Sequence, residues 1–290
     1  PNILLNIGDE FMVVKSAIIP AAGLGTRMLP YTKEVPKEML PVVVKTDVSF
    51  EFKPVLHFIF DALYNVGVRY FYFIVGRGKR IIEDYFTPDW NYVDHLDNLG
   101  KFELAQKLRS FYERLENSNI LMINQPSPKG FGDAVLRAAP FMASDTFFIH
   151  AGDDILYPNH SNNLLMMVKH FEKHGLDGIL LYEKVSNPQM YGVIIGEELE
   201  DHIIVKRVIE KPRVPPSNNA IVAIYLFNSS LFHALRKTKP LSGEHQLTDA
   251  IDLLLKMNKS VHALRVRGNR VDLGLPIHYL DAMRIFSKEI

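Results

Sequence analysis

The chain has 290 residues, with 33 Lys and Arg against 33 Asp and Glu, no Cys, 17 Gly and 17 Pro. Domains run to roughly 100–200 residues, so one large domain is expected, and a composition of 47% apolar and 23% charged residues excludes disorder, collagen-like sequence and a disulfide scaffold. Zero net charge argues against a protein that lives on nucleic-acid phosphates, and the missing Cys excludes disulfides, thiolate metal sites and Cys nucleophiles. No apolar run approaches the ~20 residues of a membrane helix. Residues 1–11, ahead of Met12, lack the basic region and apolar core of a signal peptide. They are set aside as an N-terminal extension, and 12–290 is expected to form a single cytoplasmic domain.

Apolar β-branched runs alternate with segments of helical period. Ser16–Pro20 reads as a buried strand, because a strand covered on both faces is apolar throughout. Lys45–Phe52 reads as a turn or small hairpin between core elements. Pro54–Val66 repeats apolar residues at helical spacing and stops at Gly67. Tyr70–Val75, Leu121–Ile123, Thr146–His150 and Gly178–Val185 read as further buried strands. Lys79–Phe86, Leu104–Glu116, Gly132–Ala139 and Leu164–His174 read as helices between them. This alternation predicts an α/β fold of the doubly wound, Rossmann-like kind, a three-layer α/β/α sandwich. After about residue 190 the rhythm changes. Val193–Ile195, Ile203–Glu210 and Ile221–Phe227 are strands separated by short turns, which predicts a mixed central sheet and an added β region. Helices return at Ser230–Leu235 and Leu247–Met257, then a strand at Val261–Val266 and a C-terminal helix from Pro276.

Three constellations could carry chemistry. The first is Ala22-Gly23-Leu24-Gly25-Thr26-Arg27, directly after the first strand. Glycines there let backbone N–H groups approach phosphates, and ligands of open α/β sheets sit beyond the carboxyl ends of the strands. A dinucleotide fingerprint fails at Met28, and a P-loop fails because Gly25 is not followed by Lys-Ser/Thr. Arg27, and Lys37 in a Pro-punctuated stretch, could face that turn. The second is Asp153 with Asp154 beyond the fourth strand. Paired carboxylates there suit Mg²⁺ or simply cap a turn, and Asp272 is the distant carboxylate that would favour the metal. The third is Glu210-Lys211-Pro212 at a strand end, either a hydroxyl and phosphate reader or a surface ion pair. The 11 His show no His-Glu-x-x-His spacing and no Gly-x-Ser-x-Gly occurs, so a serine hydrolase is not expected.

Taken together, these stretches resemble the bacterial-type UTP–glucose-1-phosphate uridylyltransferases, within the sugar-1-phosphate nucleotidyltransferase superfamily. The resemblance rests on Ala22–Pro30, Pro36–Pro41, Lys53-Pro54, Lys129–Val135, Tyr191–Val193, Glu210–Pro212, Ser217–Val222 and Gln246–Asp252, in family order from about residue 14 to about 285. It implies that Ala22 and Gly23 lie against the uracil and that Gln125, five residues before Gly130, reads the pyrimidine edge. Gly25, Thr26 and Arg27 would hold the triphosphate, with Lys37 beside the α-phosphate. Gly192, Glu210 and Lys211 would hold the sugar phosphate, and Asp153 and Asp272 would bind Mg²⁺. Residues 12–190 would be the nucleotide-binding half and 191–290 the sugar-binding and C-terminal half, in a homo-oligomer. This sequence departs from the family pattern at Gly152, where the family usually has Pro, and at Asp154, where it has an apolar residue.

The reaction so implied is UTP plus glucose 1-phosphate to UDP-glucose plus pyrophosphate. The sugar phosphate is already an oxyanion nucleophile, so catalysis needs positioning and charge neutralisation, with Arg27, Lys37 and Lys211 as its cations. The alternatives at this stage are a thymidylyltransferase or dual UTP/dTTP enzyme, another sugar 1-phosphate, and a non-catalytic subunit that binds nucleotide sugar as a signal.

Overall fold

The computed structural model describes residues 14–45, 50–240 and 243–287. The extension 1–11 and the tip of the 45–52 hairpin therefore lie outside the described residues, apart from Lys45 and the segment 50–52.

Strand β1 (Ser16–Pro20) sits near the middle of the molecule because every one of its side chains but the last is buried. Ala17 and Ile19 pack into one apolar cluster and Ile18 into a second. This period of two is what a strand with helices on both faces requires. Strands β4 (Tyr70–Val75) and β5 (Asn119–Asn124) extend the sheet to one side of β1, all parallel. Strand β6 (Thr146–His150) lies parallel to β1 on its other side. Beyond it come β11 (Asn219–Asn228), β8 (Gly178–Lys184), β12 (Val261–Arg265), β10 (Ile203–Glu210) and β9 (Gly192–Glu198), in that order. Strand β11 runs antiparallel to both neighbours, and β10 antiparallel to β12 and β9. The expected β region after residue 190 is thus the far half of one nine-stranded mixed sheet.

One face carries α1 (Val55–Asn65), α2 (Arg80–Tyr85), α3 (Trp90–Asn98), α4 (Phe102–Glu116), α6 (His160–His174) and α9 (Pro276–Ser287). The other carries α5 (Phe131–Ala138), α7 (Ser230–Lys237) and α8 (Leu247–Lys256). That is the expected three-layer sandwich. Two small antiparallel pairs complete it. Strands β2 (Pro41–Lys45) and β3 (Phe50–Pro54) form the hairpin before α1, and β7 (Asp154–Tyr157) pairs with β13 (Asn269–Asp272).

The chain visits β1, β4 and β5 to one side, then returns through β6 to the other. At such a topological switch point the loops after two adjacent parallel strands diverge and leave a crevice. Here those loops are the glycine segment after β1 and Ala151–Asp153 after β6.

Candidate active site

A cleft of about 580 Å³ opens at that crevice. Its floor is held closed by short backbone bonds: Ala21 N–H donates to Ile74 O at 2.8 Å and Gly152 N–H to Pro20 O at 3.2 Å. Gly152 has no room for anything larger, since a Cβ there would lie 2.9 Å from Glu38 Cγ and 3.3 Å from Pro20 O. The departure from the family pattern at this position is therefore a packing requirement of this chain.

The glycine segment turns at Gly25, whose φ of +64° is left-handed and strained for residues with a Cβ. The turn is pinned by Thr32 Oγ1 and Met28 N–H, which donate to Gly25 O at 2.7 and 2.8 Å. Ala22, Gly23, Gly25, Thr26 and Arg27 all line the cleft. Arg27 turns inward. A Cβ built on Gly274 would lie 2.9 Å from Arg27 Nη2 and 2.9 Å from Asp272 Oδ1, so guanidinium and carboxylate flank the same glycine.

Pairing of β7 with β13 sets Asp272 opposite Asp154, and Leu273 N–H donates to Asp153 O at 3.1 Å. Asp153 and Asp272, 119 positions apart in sequence, are thereby neighbours. Lys37, set in a short turn after Pro36, is hydrogen-bonded through Nζ to Asp153 Oδ2. Burial alone would lower the Lys37 pKa. Asp153, Glu38 and Asp272 outweigh it and hold the ammonium well above the usual lysine range. Burial pushes Asp153 up, but Lys37 above all holds its carboxyl below the usual range. Asp272 goes the other way. Burial, then the nearby Asp154 and Asp153 carboxylates, push it above that range, while its Oδ1 accepts Gly274 N–H at 2.8 Å. Two hard oxygen donors in one cleft, one of them crowded by like charge, fit a divalent cation of the Mg²⁺ kind.

Asp154 does not share that task. Its carboxylate receives a bidentate bond from Arg270, Nε at 2.8 Å and Nη2 at 3.1 Å. Arg270 also reaches Glu183 at 2.9 Å and Asp272 at 3.6 Å, and lies 5.1 Å above the Tyr191 ring. The acidic residue at 154 is matched by a buried arginine across the β7–β13 ladder.

At one end of the cleft, Gln125 follows β5 and is buried. Its Nε2 donates to Gly130 O at 3.2 Å and to Asp133 Oδ2 at 2.8 Å, which leaves Oε1 as the acceptor. Gly130, at φ +102°, begins α5 and packs against His245, whose N–H donates to Lys129 O at 2.7 Å. At the other end, Gly192 pairs with Glu210 in the β9–β10 ladder. Glu210 Oε2 accepts from Thr248 Oγ1 at 3.0 Å, and Oε1 lies 3.7 Å from Lys211 Nζ. Lys211 has a φ of +38°, and its N–H donates to Tyr191 O at 3.0 Å.

Each nucleotide, sugar-phosphate and metal residue expected from the sequence lines this one cleft. Sequence reasoning missed Glu38, Thr248, Tyr191 and Arg270, which line it too. Arg270 was accessible in principle, because residues two apart on a strand share a face and Asp272 was already in view. Glu38 was not, since nothing in a lone Glu beside Lys37 says that it is buried against Lys79, 2.9 Å away.

The family model described as nucleotidyl transferase matches residues 16–289, and the chain belongs to that family. Its members generally use a divalent metal. A curated relative from Streptococcus pyogenes serotype M3, named UTP–glucose-1-phosphate uridylyltransferase 2, is 36% identical over 273 residues, covering 90% of this chain and 86% of its own length. Two solved structures share the fold closely. A UDP-glucose pyrophosphorylase complexed with UDP-glucose has a TM-score of 0.80 at 31% identity, covering 96% of this chain and 100% of that one. A UTP-bound UGPase from Acinetobacter baumannii has a TM-score of 0.84 at 27% identity, covering 96% and 94%. The resemblance read from the motifs is borne out.

Proposed function

We propose that the chain transfers the uridylyl group of UTP to glucose 1-phosphate, releasing pyrophosphate and forming UDP-glucose. The observation that carries this reading is the gathering of Arg27, Lys37, Asp153 and Asp272 in the cleft that also holds Glu210 and Lys211. A phosphate oxygen of glucose 1-phosphate attacks the α-phosphorus of UTP. The new P–O bond forms as the bond to the β-phosphate oxygen breaks, and pyrophosphate leaves with that electron pair. Both reactants are anions, so the barrier is mainly repulsion, and fixed cations lower it.

Asp153 and Asp272 would hold Mg²⁺, which supplies positive charge beside the α-phosphate when bound. Arg27 and the amides of the Gly25 turn steady the leaving pyrophosphate. Lys37, locked by its carboxylate partners, stays charged beside the α-phosphate, and Lys211 holds the incoming phosphate in line. Gln125 Oε1 accepts the N3–H of uracil while Ala22 and Gly23 pack on the ring. Glu210, oriented by Thr248, accepts sugar hydroxyls. Residues 12–190 supply the nucleotide half and 191–290 the sugar half of this site. The same reading makes the protein a cytoplasmic homo-oligomer, with Ile277 and Leu280, both exposed on α9, as part of the contact. Among the described residues, no helix is long and apolar enough to cross a membrane.

The test is a panel of UTP, dTTP, CTP and GTP against glucose, galactose and N-acetylhexosamine 1-phosphates, read as pyrophosphate release in Mg²⁺. UTP with glucose 1-phosphate should give the highest kcat/KM. A larger value for dTTP, or nucleotide binding without turnover, would refute the assignment.

A further inference from the structure

Four histidines gather in a part of the molecule that takes no part in the cleft. His170 and His174 are four residues apart on α6, hence on one helix face. His202 immediately precedes β10, and His262 is on β12, where it pairs with Ile204. Strand β10 carries Glu210 at its opposite end, seven strand steps or roughly 23 Å away, and none of the four lines the cleft.

The imidazoles of three separate elements converge. His170 Nε2 and His262 Nδ1 are 3.0 Å apart, and His202 stacks on His262 with ring centroids separated by 4.5 Å. One nitrogen from each of His170, His202 and His262 lies within 4.8 Å of the other two. All three side chains are buried. Exposed His174 stands at their rim, its ring 4.3 Å from that of His170. A pure core reading accounts poorly for this set. Burying three imidazoles beside one another sacrifices hydration, and the 3.0 Å hydrogen bond joins only His170 and His262. A tetrahedral zinc with bonds of about 2.0–2.1 Å keeps its ligand nitrogens about 3.3 Å apart, close to the spacing already present between His170 and His262. His202 adds an independent sign. Its Nδ1 is bonded to Asp201 Oδ1 at 2.5 Å, the carboxylate–histidine pairing that fixes the tautomer of a metal ligand and leaves Nε2 free.

We infer that His170, His202 and His262 form a binding site for a transition-metal cation of the Zn²⁺ class, oriented by Asp201 and with its fourth position toward His174 and solvent. Such an ion would clamp α6, β10 and β12 together and is separate from the hard cation of the cleft, since imidazole suits Zn²⁺ and carboxylate suits Mg²⁺.

The experiment titrates Zn²⁺ into the full chain after chelator treatment, in buffer containing excess Mg²⁺, with calorimetry and thermal melting as readouts. One equivalent should bind and raise the melting temperature, and Co²⁺ in its place should give the visible absorption of nitrogen ligation. Asp201 is 69% exposed at its side chain, so Asp201→Asn should keep the metal-free melting temperature and weaken Zn²⁺ binding about 10- to 100-fold. His202→Gln and His262→Gln should abolish it. If those variants fail to fold, Asp201→Asn and the Co²⁺ spectrum of the native chain decide. Zn²⁺ binding of undiminished affinity in the variants, a carboxylate-type Co²⁺ spectrum, or no binding below millimolar Zn²⁺ would overturn the site.

Discussion

Lys37 and Lys211 are both cations of the cleft, yet their surroundings assign them different work. Lys37 is half-buried and its ammonium is tied to Asp153, so its charge is fixed in place before any substrate arrives. Lys211 is 60% exposed at its side chain, and its left-handed backbone costs a residue with a Cβ about 1 kcal/mol or more. That strain is tolerated at the turn where the chain leaves β10 and sets Lys211 in the cleft beside Glu210. Lys211→Ala should lower kcat about 10³-fold and leave UTP affinity within a few-fold; near-native kcat would refute its placement. Arg270 holds a structural charge. Its side chain and that of Asp154 are 8% and 5% exposed, and removing one partner of a buried pair costs about 3–5 kcal/mol. Chemical denaturation of Arg270→Leu should show a loss of that size, and recovery in the Arg270→Leu/Asp154→Leu double variant would confirm that the isolated carboxylate is the cause.

At the scale of elements, β6 and α6 are joined by two histidines whose tautomers are fixed by their partners. His150 Nδ1–H donates to Ala151 O at 2.7 Å, and His160 Nδ1 accepts Leu156 N–H at 3.2 Å. His160 Nε2–H must therefore donate to His150 Nε2, 2.8 Å away, and both rings are neutral. Burial lowers His150 from 6.5 to about 4 and lowers His160 well below 6.5. Both shifts are downward, so the unfolded chain binds protons that the folded chain refuses. The stability they contribute is whole above pH 6.5 and is lost as pH falls toward 4. For His150 alone the loss approaches about 3 kcal/mol. Melting temperature should drop steeply between pH 6.5 and 4.5; a flat profile there would contradict the neutral pair. The buried strands were legible because a strand covered on both faces must be apolar end to end, as in Tyr70–Val75. Several elements were not, among them α3 and β7. Helix α3 buries only Val93 and Leu96 and starts on Asp89, whose Oδ1 accepts Tyr92 N–H at 3.1 Å, so it carries little apolar period. Strand β7 has four residues, too few to show a period, and exists because β13 pairs with it from more than a hundred residues away. That same long-range pairing brings Asp272 to Asp153, a meeting the sequence could offer as a candidate but no local pattern could fix.

For the molecule as a whole, the sheet order decides where chemistry can occur. The reversal of strand order between the parallel β1 and β6 opens the crevice, and the β7–β13 ladder carries Asp272 back to it. Glu210 arrives from the antiparallel far half of the same sheet, so the cleft is lined from one continuous scaffold. On the proposed mechanism Asp153 and Asp272 act as a single centre. Steady-state pyrophosphate release from UTP and glucose 1-phosphate, compared among the native chain, Asp153→Asn, Asp272→Asn and the double variant, is the decisive measurement. Residues that act as a unit are strongly non-additive, so each single variant should lose about 10³-fold or more in kcat and the double variant little beyond the worse single. Losses that multiply, or an Asp272→Asn enzyme that turns over at the native rate, would show that the two carboxylates do not share one task.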